Sequence, residues 1–341
     1  MKISSAPEAA AAKITNVVVS ILNWNNASAT LTCVRSLLLS ILKDFDMRVV
    51  VVDNGSDIHD WMVLRKGLEQ ENVRLIRLDT NIGFAAGHNR VMREAVSEGA
   101  DCVWLVNNDT WIPAGTLQAL IHFMDADPTC GATSPVIRAL HDSNIVDFCG
   151  ACHDRKNLRK IIPAEIDKSR QLEVENTFQM SLYGTALMLR TTALKEIGLL
   201  NEDYFAYYED DDISRRLSRN GWKNRICFDA LIYHRHTTDN YTERPAYYFY
   251  LMSRNEMFFW TQGAQGRFCI KKVRMRLITR SLIRAARLRS RGMREKSEAC
   301  LLGIHHGLIQ RGGAPALEVS PPMWMQVASR YIPRIILKCF T

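Results

Sequence analysis

Residues Tyr207 to Leu217 read YYEDDDISRRL, which sets four carboxylates, Glu209, Asp210, Asp211 and Asp212, directly ahead of an apolar helical pattern. Four adjacent acids repel one another, so such a cluster is either diluted by solvent or held in place for chemistry. The start of a helix offsets part of the repulsion, about 0.3–1 kcal/mol per charge. Two aromatics precede the acids, which suggests a partly enclosed site where one carboxylate could be tuned to accept a proton. An ordinary acidic helix N-terminus is the alternative reading, and other segments bear on the choice.

The elements that must position these acids begin in the N-terminal half. Asn16–Leu22, Met47–Asp53, Val73–Arg77 and Asp101–Val106 are short, apolar and rich in β-branched residues, as buried parallel strands are. Helical patterns lie between and after them near Ala29–Leu42, His59–Glu69, Ala85–Ser97 and Pro113–Asp125, the last opening on a proline. This alternation predicts an α/β layer around a mostly parallel sheet. In such sheets ligands sit beyond the carboxyl ends of the strands. The residues there are Asn23-Trp24-Asn25-Asn26, Asp53-Asn54-Gly55-Ser56, Asn81 to Gly87 and Asn107-Asn108-Asp109. One such loop would be a turn, because Asn, Asp and Gly are the default turn residues. Four on one edge point to a binding site.

The chain resembles the family 2 glycosyltransferases of GT-A fold, most closely the rhamnosyltransferase-like branch that builds bacterial surface polysaccharides. The matching stretches are VVVSILNWNN, VVVDNGSD, NIGFAAGHNR, WLVNNDT, YGTALMLR, YYEDDDISRRLSRNGWK, YHRHTTD and YLMSRNEMFF, in the family's order from about residue 16 to about residue 262. The resemblance implies a Rossmann-like sheet flanked by helices with a C-terminal helical extension. It divides the chain into a flexible N-terminus (1–15), a GT-A domain (16–262, with a nucleotide half at 16–110 and an acceptor half at 111–262) and a basic helical region (263–341).

Carried over residue by residue, the resemblance implies that Asn25, Asp53 and Asn54 surround the base and ribose of a nucleotide, with Asp53 accepting from the pyrimidine. Gly83, Phe84, Gly87 and Asn89 would lie close to nucleotide or sugar, where glycine permits near approach of the backbone. Asn107-Asn108-Asp109 stands where the family carries an Asp-X-Asp metal motif, with an amide in place of the first acid. Asp109 would hold Mg2+ or Mn2+, Asn107 would supply a carbonyl oxygen or an ordering hydrogen bond, Asn108 would border the cofactor, and His234 would complete the metal or diphosphate site. His236 is a weaker candidate for the same task. Among the acids, the second residue of the Glu-Asp pair is the family's base, which points to Asp210. Glu209 would orient the acceptor or neighbouring backbone, Asp212 would pair with Arg215 or Arg216 at helical spacing, and Asp211 would face solvent.

Composition agrees with a folded, globular chain: 47% of the 341 residues are hydrophobic and 23% charged. No apolar run is long enough to span a bilayer and no signal-peptide pattern opens the chain, so a cytoplasmic location is expected. The nine cysteines follow no framework spacing, and Cys149-Gly-Ala-Cys152 lacks a second pair, so reduced thiols are expected. His305-His306 is expected on a helix surface. From Arg267 to Glu298, twelve Lys or Arg face two Glu amid apolar residues at helical spacing, the pattern of a basic amphipathic helix. An anionic membrane surface is its expected partner, with the protein peripheral at the inner face, rather than nucleic acid; packing on the domain is the alternative. The tail from Pro321 to Phe340 mixes aromatic and basic residues, with Pro333 expected to interrupt a helix.

The function expected from the resemblance is inverting transfer of a sugar from a dTDP- or UDP-sugar, dTDP-rhamnose first, to a glycan or lipid-linked saccharide. A UDP-hexose transferase and a catalytically silent nucleotide-sugar or glycan-binding module are the alternatives, the latter because Asn107 replaces an acid. A Rossmann oxidoreductase is disfavoured, since Gly83 to Gly87 lacks the G-x-G-x-x-G spacing and follows the third strand.

Overall fold

The structure, a computed structural model, describes residues 13–40, 45–177, 179–235 and 243–339. His236 and the residues just after it fall outside that range. The chain divides into two units, residues 1–201 with 210–236 and residues 202–209 with 237–341.

In the first unit β1 (Asn16–Asn23), β2 (Asp46–Asn54), β3 (Val73–Leu78) and β4 (Cys102–Asn107) alternate with α1 (Ala27–Leu39), α2 (Ile58–Leu68) and α3 (Phe84–Ser97). There follow β5 (Thr110–Trp111), α4 (Thr116–Ala126), β6 (Cys130–Ala139), β7 (Val146–Phe148), β8 (Ala151–Asp154), β9 (Arg159–Ile161) and α5 (Ile166–Glu175). The unit ends with β10 (Met180–Ser181), β11 (Ala186–Arg190), α6 (Thr191–Ile197), α7 (Glu209–Arg219, in this unit from Asp210 on) and β12 (Lys223–His234). The larger sheet has the order β3-β2-β1-β4-β11-β6-β12-β5, with β7 on β6; β10-β8-β9 form a separate antiparallel sheet.

The Val and Ile of β1 and β2 are buried because both faces of these central strands are covered. The sheet is parallel from β3 to β4 and turns mixed beyond, where β11 runs antiparallel to both β4 and β6. That reversal brings the start of β11 beside the end of β4: Ala186 pairs with Val106, and the N–H of Asn107 donates to the carbonyl of Thr185 at 2.9 Å. Gly87, expected near the nucleotide, instead packs α3 on β1, for a Cβ there would lie 2.6 Å from Leu22 Cδ1. Pro113 does not open α4; Gly115, at φ 82, precedes its first residue and only glycine takes that conformation without strain. Ile14, inside the stretch expected to be flexible, is fully buried.

The second unit holds a short 3-10 turn (Glu202–Tyr204) and the helices α8 (Ala246–Gln262), α9 (Arg267–Ser290), α10 (Arg294–Leu308) and α11 (Met323–Cys339). α8, placed by sequence with the residues before 262, groups here with the C-terminal helices. The reason is two glycines of α10: a Cβ at Gly303 would sit 2.2 Å from the Tyr250 carbonyl oxygen, and one at Gly307 would sit 2.7 Å from Met257 Cβ. His306 lies inside this packing and not on a helix surface, with Nδ1 2.6 Å from the Tyr250 hydroxyl and burial lowering its pKa to about 4. The basic stretch is two helices, because Gly292 turns the chain at φ 78 between α9 and α10. α11 runs through Pro333, where an interruption was expected.

Within this unit Phe205, Tyr207 and Tyr208 have φ of 63, 68 and 76, costly for side chains with a Cβ. Asn255 of α8 offsets that cost by donating to the carbonyls of Tyr204, Ala206 and Tyr207 at 2.9, 2.8 and 2.8 Å. Arg254 adds bonds to the carbonyls of Asp203 and Tyr204 at 3.0 and 2.9 Å.

Candidate active site

The carboxyl edge of the parallel strands carries the first group of site residues. Asn23, the last residue of β1, is the hub: its amide nitrogen is 2.9 Å from Asp53 Oδ1, 3.1 Å from Ser56 Oγ and 2.9 Å from Asp60 Oδ2, and its oxygen accepts from Thr30. Asn25 sits beside it at φ 50, its N–H donating to Ser56 Oγ and its side-chain oxygen accepting from the N–H of Asp57. Asp53 is fully buried, yet none of the described residues hydrogen-bonds to its Oδ2, and the Arg77 Nε stands 3.9 Å away. A buried carboxylate oxygen without a donor is costly, so this atom is suited to receive an N–H from a ligand. Asn54 ties the next loop down, donating to Asn81 Oδ1 and the Gly83 carbonyl and accepting from the N–H of Ile82. Gly83, at φ 92, starts α3, and Phe84 after it meets His88 edge-on at 4.4 Å.

Asn89, expected at the nucleotide, is buried and engaged on both sides of its amide with the backbone of Leu200, at 2.8 and 3.1 Å. It therefore clamps α3 to the end of the 198–201 segment.

After β4, Asn107 and Asn108 lead into Asp109. Asn108 donates to Thr30 Oγ1 at 2.8 Å, which links this loop to the Asn23 hub. Asp109 Oδ1 lies 3.2 Å from Nε2 of His234, the last residue of β12, and His234 Nδ1 lies 2.8 Å from Asp147 Oδ2. Burial alone would lower the His234 pKa, but the two carboxylates raise it to about 9. Two donors of one hard cation stand on the order of 3 Å apart when each bond is about 2.0–2.2 Å. Asp109 and His234 have that spacing, and Asp147 fixes the ring from behind as outer partners of metal-bound imidazoles do. Among the described residues no group of three or more His, Cys, Asp or Glu is arranged as a metal cage. Asp147 had no signal in sequence beyond being an acid in an unpatterned segment.

The acids of α7 form the second group. Asp210 Oδ2 accepts from the N–H of Gly184 at 3.0 Å and its Oδ1 from the N–H of Asp211 at 2.8 Å. Burial and the adjacent Asp211 raise its pKa above the usual carboxylate range, with Lys160 and the two N–H groups acting against them. Asp211 does not face solvent: it is buried and bonded to Lys160 Nζ at 2.7 Å, His153 Nε2 at 3.0 Å and the Ser181 hydroxyl. Burial would raise its pKa, but Lys160 and His153 hold it well below the usual range. Asp212 pairs with Arg215 at 2.7 Å and Arg216 at 2.8 Å, as its helical spacing predicts. Glu209 is buried and adjoins Asp210 in the chain. Cys149 and Cys152 are buried thiols, with burial pushing Cys152 up to about 11.

A sheet parallel from β3 to β4 and mixed beyond, with polar loops on the carboxyl edge of its parallel strands, is the architecture of the GT-A fold. The family model Glycosyl transferase family 2 matches residues 17–197, and the chain belongs to that family. It is 25% identical over 216 residues to the N-acetylglucosaminyl-diphospho-decaprenol L-rhamnosyltransferase of Mycobacterium tuberculosis, covering 58% of this chain and 69% of that protein. It is 24% identical over 273 residues to the low-salt glycan biosynthesis hexosyltransferase Agl10 of Haloferax volcanii, covering 78% and 84%. The fold is similar to that of the mannosyltransferase PcManGT from Pyrobaculum calidifontis in complex with GDP-Man and Mn2+ (TM-score 0.56, 14% identity, 87% of this chain and 88% of that one). GalNAc-T7 with UDP, GalNAc and Mn2+ is also similar (TM-score 0.52, 14% identity, 73% and 51%).

Proposed function

We propose that the protein is an inverting glycosyltransferase that moves a sugar from a nucleoside diphosphate to a hydroxyl of a glycan or lipid-linked saccharide. The observation that carries this reading is Asp210, a buried carboxylate held by two backbone N–H groups with its proton affinity raised. A base of that kind takes the acceptor hydroxyl proton as the oxygen attacks the anomeric carbon. The bond from that carbon to the phosphate oxygen breaks, and its electron pair leaves with the nucleoside diphosphate. Asp53 Oδ2 receives the N–H of the base, while Asn23, Asn25 and Asn54 keep the surrounding loops in place. A divalent cation held by Asp109 and His234, with water and phosphate oxygens completing its shell, would offset the leaving group's charge. Similarity to a rhamnosyltransferase and to a hexosyltransferase supports a rhamnosyl or hexosyl donor, and dTDP-rhamnose is the first to test.

Asp210→Asn should lower turnover by roughly 10²-fold or more, the scale of losing a general base, while nucleotide affinity stays near normal. Near-normal turnover in that variant, measured as release of nucleoside diphosphate from dTDP-rhamnose, UDP-glucose or GDP-mannose with Mn2+, would sink the assignment.

A peripheral position on an anionic membrane is supported by α9. Its later turns bury Leu277, Leu282, Ala285 and Leu288, but its first turns leave Arg267, Phe268, Lys271, Lys272, Met275 and Arg276 exposed. Cations beside exposed apolar side chains fit an interface of acidic headgroups, each cation contributing about 1 kcal/mol there. No helix among the described residues is long and apolar enough to cross a membrane. The protein should sediment with phosphatidylserine vesicles at low salt and release as salt shortens the Debye length to about 8 Å or less; Lys271→Glu with Lys272→Glu should weaken sedimentation severalfold. Protein left in the supernatant at low salt would make α9 structural only.

A further inference from the structure

Asp210 and Asp211 are adjacent, buried acids, and their partners differ in kind. Among the described residues, Asp210 accepts hydrogen bonds from backbone, the N–H groups of Gly184 and Asp211. Asp211 takes the side chains: Lys160 from β9, His153 from β8 and Ser181 from β10. The whole small sheet therefore converges on the acid beside the proposed base. Lys160 is enclosed as well, with Nζ 4.6 Å from the centre of the Tyr183 ring, which stacks on Phe148 at 3.8 Å. Its side chain keeps 21% of its exposure, and that of Asp211 keeps 3%.

We propose that Lys160 is a positioning residue, supplying from the small sheet the counter-charge of the Asp210–Asp211 pair and so keeping Asp210 anionic and directed at the acceptor. This inference rests on the reading of Asp210 as the base. Two like charges side by side in a buried site cannot both ionise without a cation. The groups that face the pair are the Lys160 ammonium from β9, the His153 imidazole from β8, the Ser181 hydroxyl from β10, the Tyr183 phenol before β11 and the N–H groups of Gly184 and Asp211. Burial would lower the Lys160 pKa, but Asp211, Tyr183 and Asp210 together hold it above its ordinary value, so it stays charged wherever the enzyme works. Remove Lys160 and the pair carries one more uncompensated negative charge, which Asp210 relieves by taking a proton. Remove the charge of Asp211 and Asp210 ionises more readily, with Lys160 left to serve it.

The two substitutions must therefore move the Asp210 titration in opposite directions, which a merely structural Lys160 would not produce. The full chain labelled with carboxyl-13C aspartate gives the readout, the Asp210 resonance being the one absent from Asp210→Asn. Lys160→Met should raise its midpoint by about one pH unit or more, Asp211→Asn should lower it, and Lys160→Arg should leave it near the parent value. The acid limb of nucleotide-sugar hydrolysis should move with the midpoint in each variant. An unmoved or lowered midpoint in Lys160→Met overturns the proposal. If Lys160→Met does not fold, Lys160→Gln decides: a raised midpoint supports the proposal and an unmoved one overturns it. Hydrolysis retained by Asp210→Asn would remove the base assignment instead, whatever the midpoints do.

Discussion

The nucleotide edge and the acid pair are both built on one sheet, but they are held together differently. At the edge, Asn23 bonds to Asp53, Asn25 to Ser56 and Asp57, and Asn54 to Asn81, across loops that each follow a strand directly. At the acid pair, α7 receives Lys160, His153 and Ser181 from strands of two to four residues, and His153 lies 58 positions from Asp211. The first arrangement uses side-chain amides that tie together loops 27 to 32 positions apart in sequence. The second uses charge, and there a single missing partner leaves a buried ion uncompensated. Loss of one amide at the edge should therefore be graded, and loss of one partner at the acids should be steep.

The largest effect expected at the edge breaks this contrast, because it removes a charge. Asp109→Ala should abolish metal-dependent nucleotide binding, a fall of roughly 10²-fold or more, since even outer partners of a metal ligand carry 10–100-fold. Asn107→Asp should be tolerated and should raise metal affinity by adding charge to an oxygen site. Calorimetry that finds equal nucleotide affinity with Mn2+ and with chelator would remove the cation from the mechanism.

A second expectation follows from His234. Its pKa in the fold is raised to about 9 by Asp109 and Asp147, so the cation-free protein gains stability below the unfolded value near 6.5 and loses it as pH rises through about 9. A cation needs the neutral ring, so metal affinity should climb with pH, by up to about tenfold per unit between pH 7 and 9. Titrations of Mn2+ at fixed nucleotide concentration across that range measure the slope. A flat profile would place the cation away from His234.

The smallest effect belongs to Asp53→Asn. The new amide can keep its oxygen toward Asn23 and put an N–H2 where the unpartnered Oδ2 stands. The fold should change little in urea midpoint, while nucleotide affinity should fall by about 1–2 kcal/mol. An equal loss of stability would show that Asp53 supports the edge instead of reading a base.

What the sequence made legible follows the same division. β1 to β4 and the loops after them were placed within a few residues, because β-branched runs ending in Asn, Asp or Gly report a strand and its turn together. Asp212 was paired correctly because its partners lie within one helical turn. Asp211 was misplaced because Lys160 and His153 sit on a sheet whose short strands show no period. Gly87 and Asn89 each have a partner that local pattern does not reveal, Leu22 for the glycine and the Leu200 backbone for the asparagine. The turn at Gly292 carried a signal, a lone glycine amid helical spacing, that charge counting overlooked.

The reversal of β11 beside β4 has one more consequence. Thr185 accepts from Asn107, and Gly184, its neighbour, donates to Asp210, so the loop proposed to hold the cation and the acid proposed as base are joined through a backbone rung. The rung spans residues 107 to 185 in sequence yet contains no side chain. The loops between the short strands of residues 140–180 can therefore change in length or sequence, provided Asp147, His153 and Lys160 keep their partners, while the spacing of Asn107 and Gly184 stays constant. On the proposed reading, such a fold takes on new acceptors without recalibrating the reaction itself.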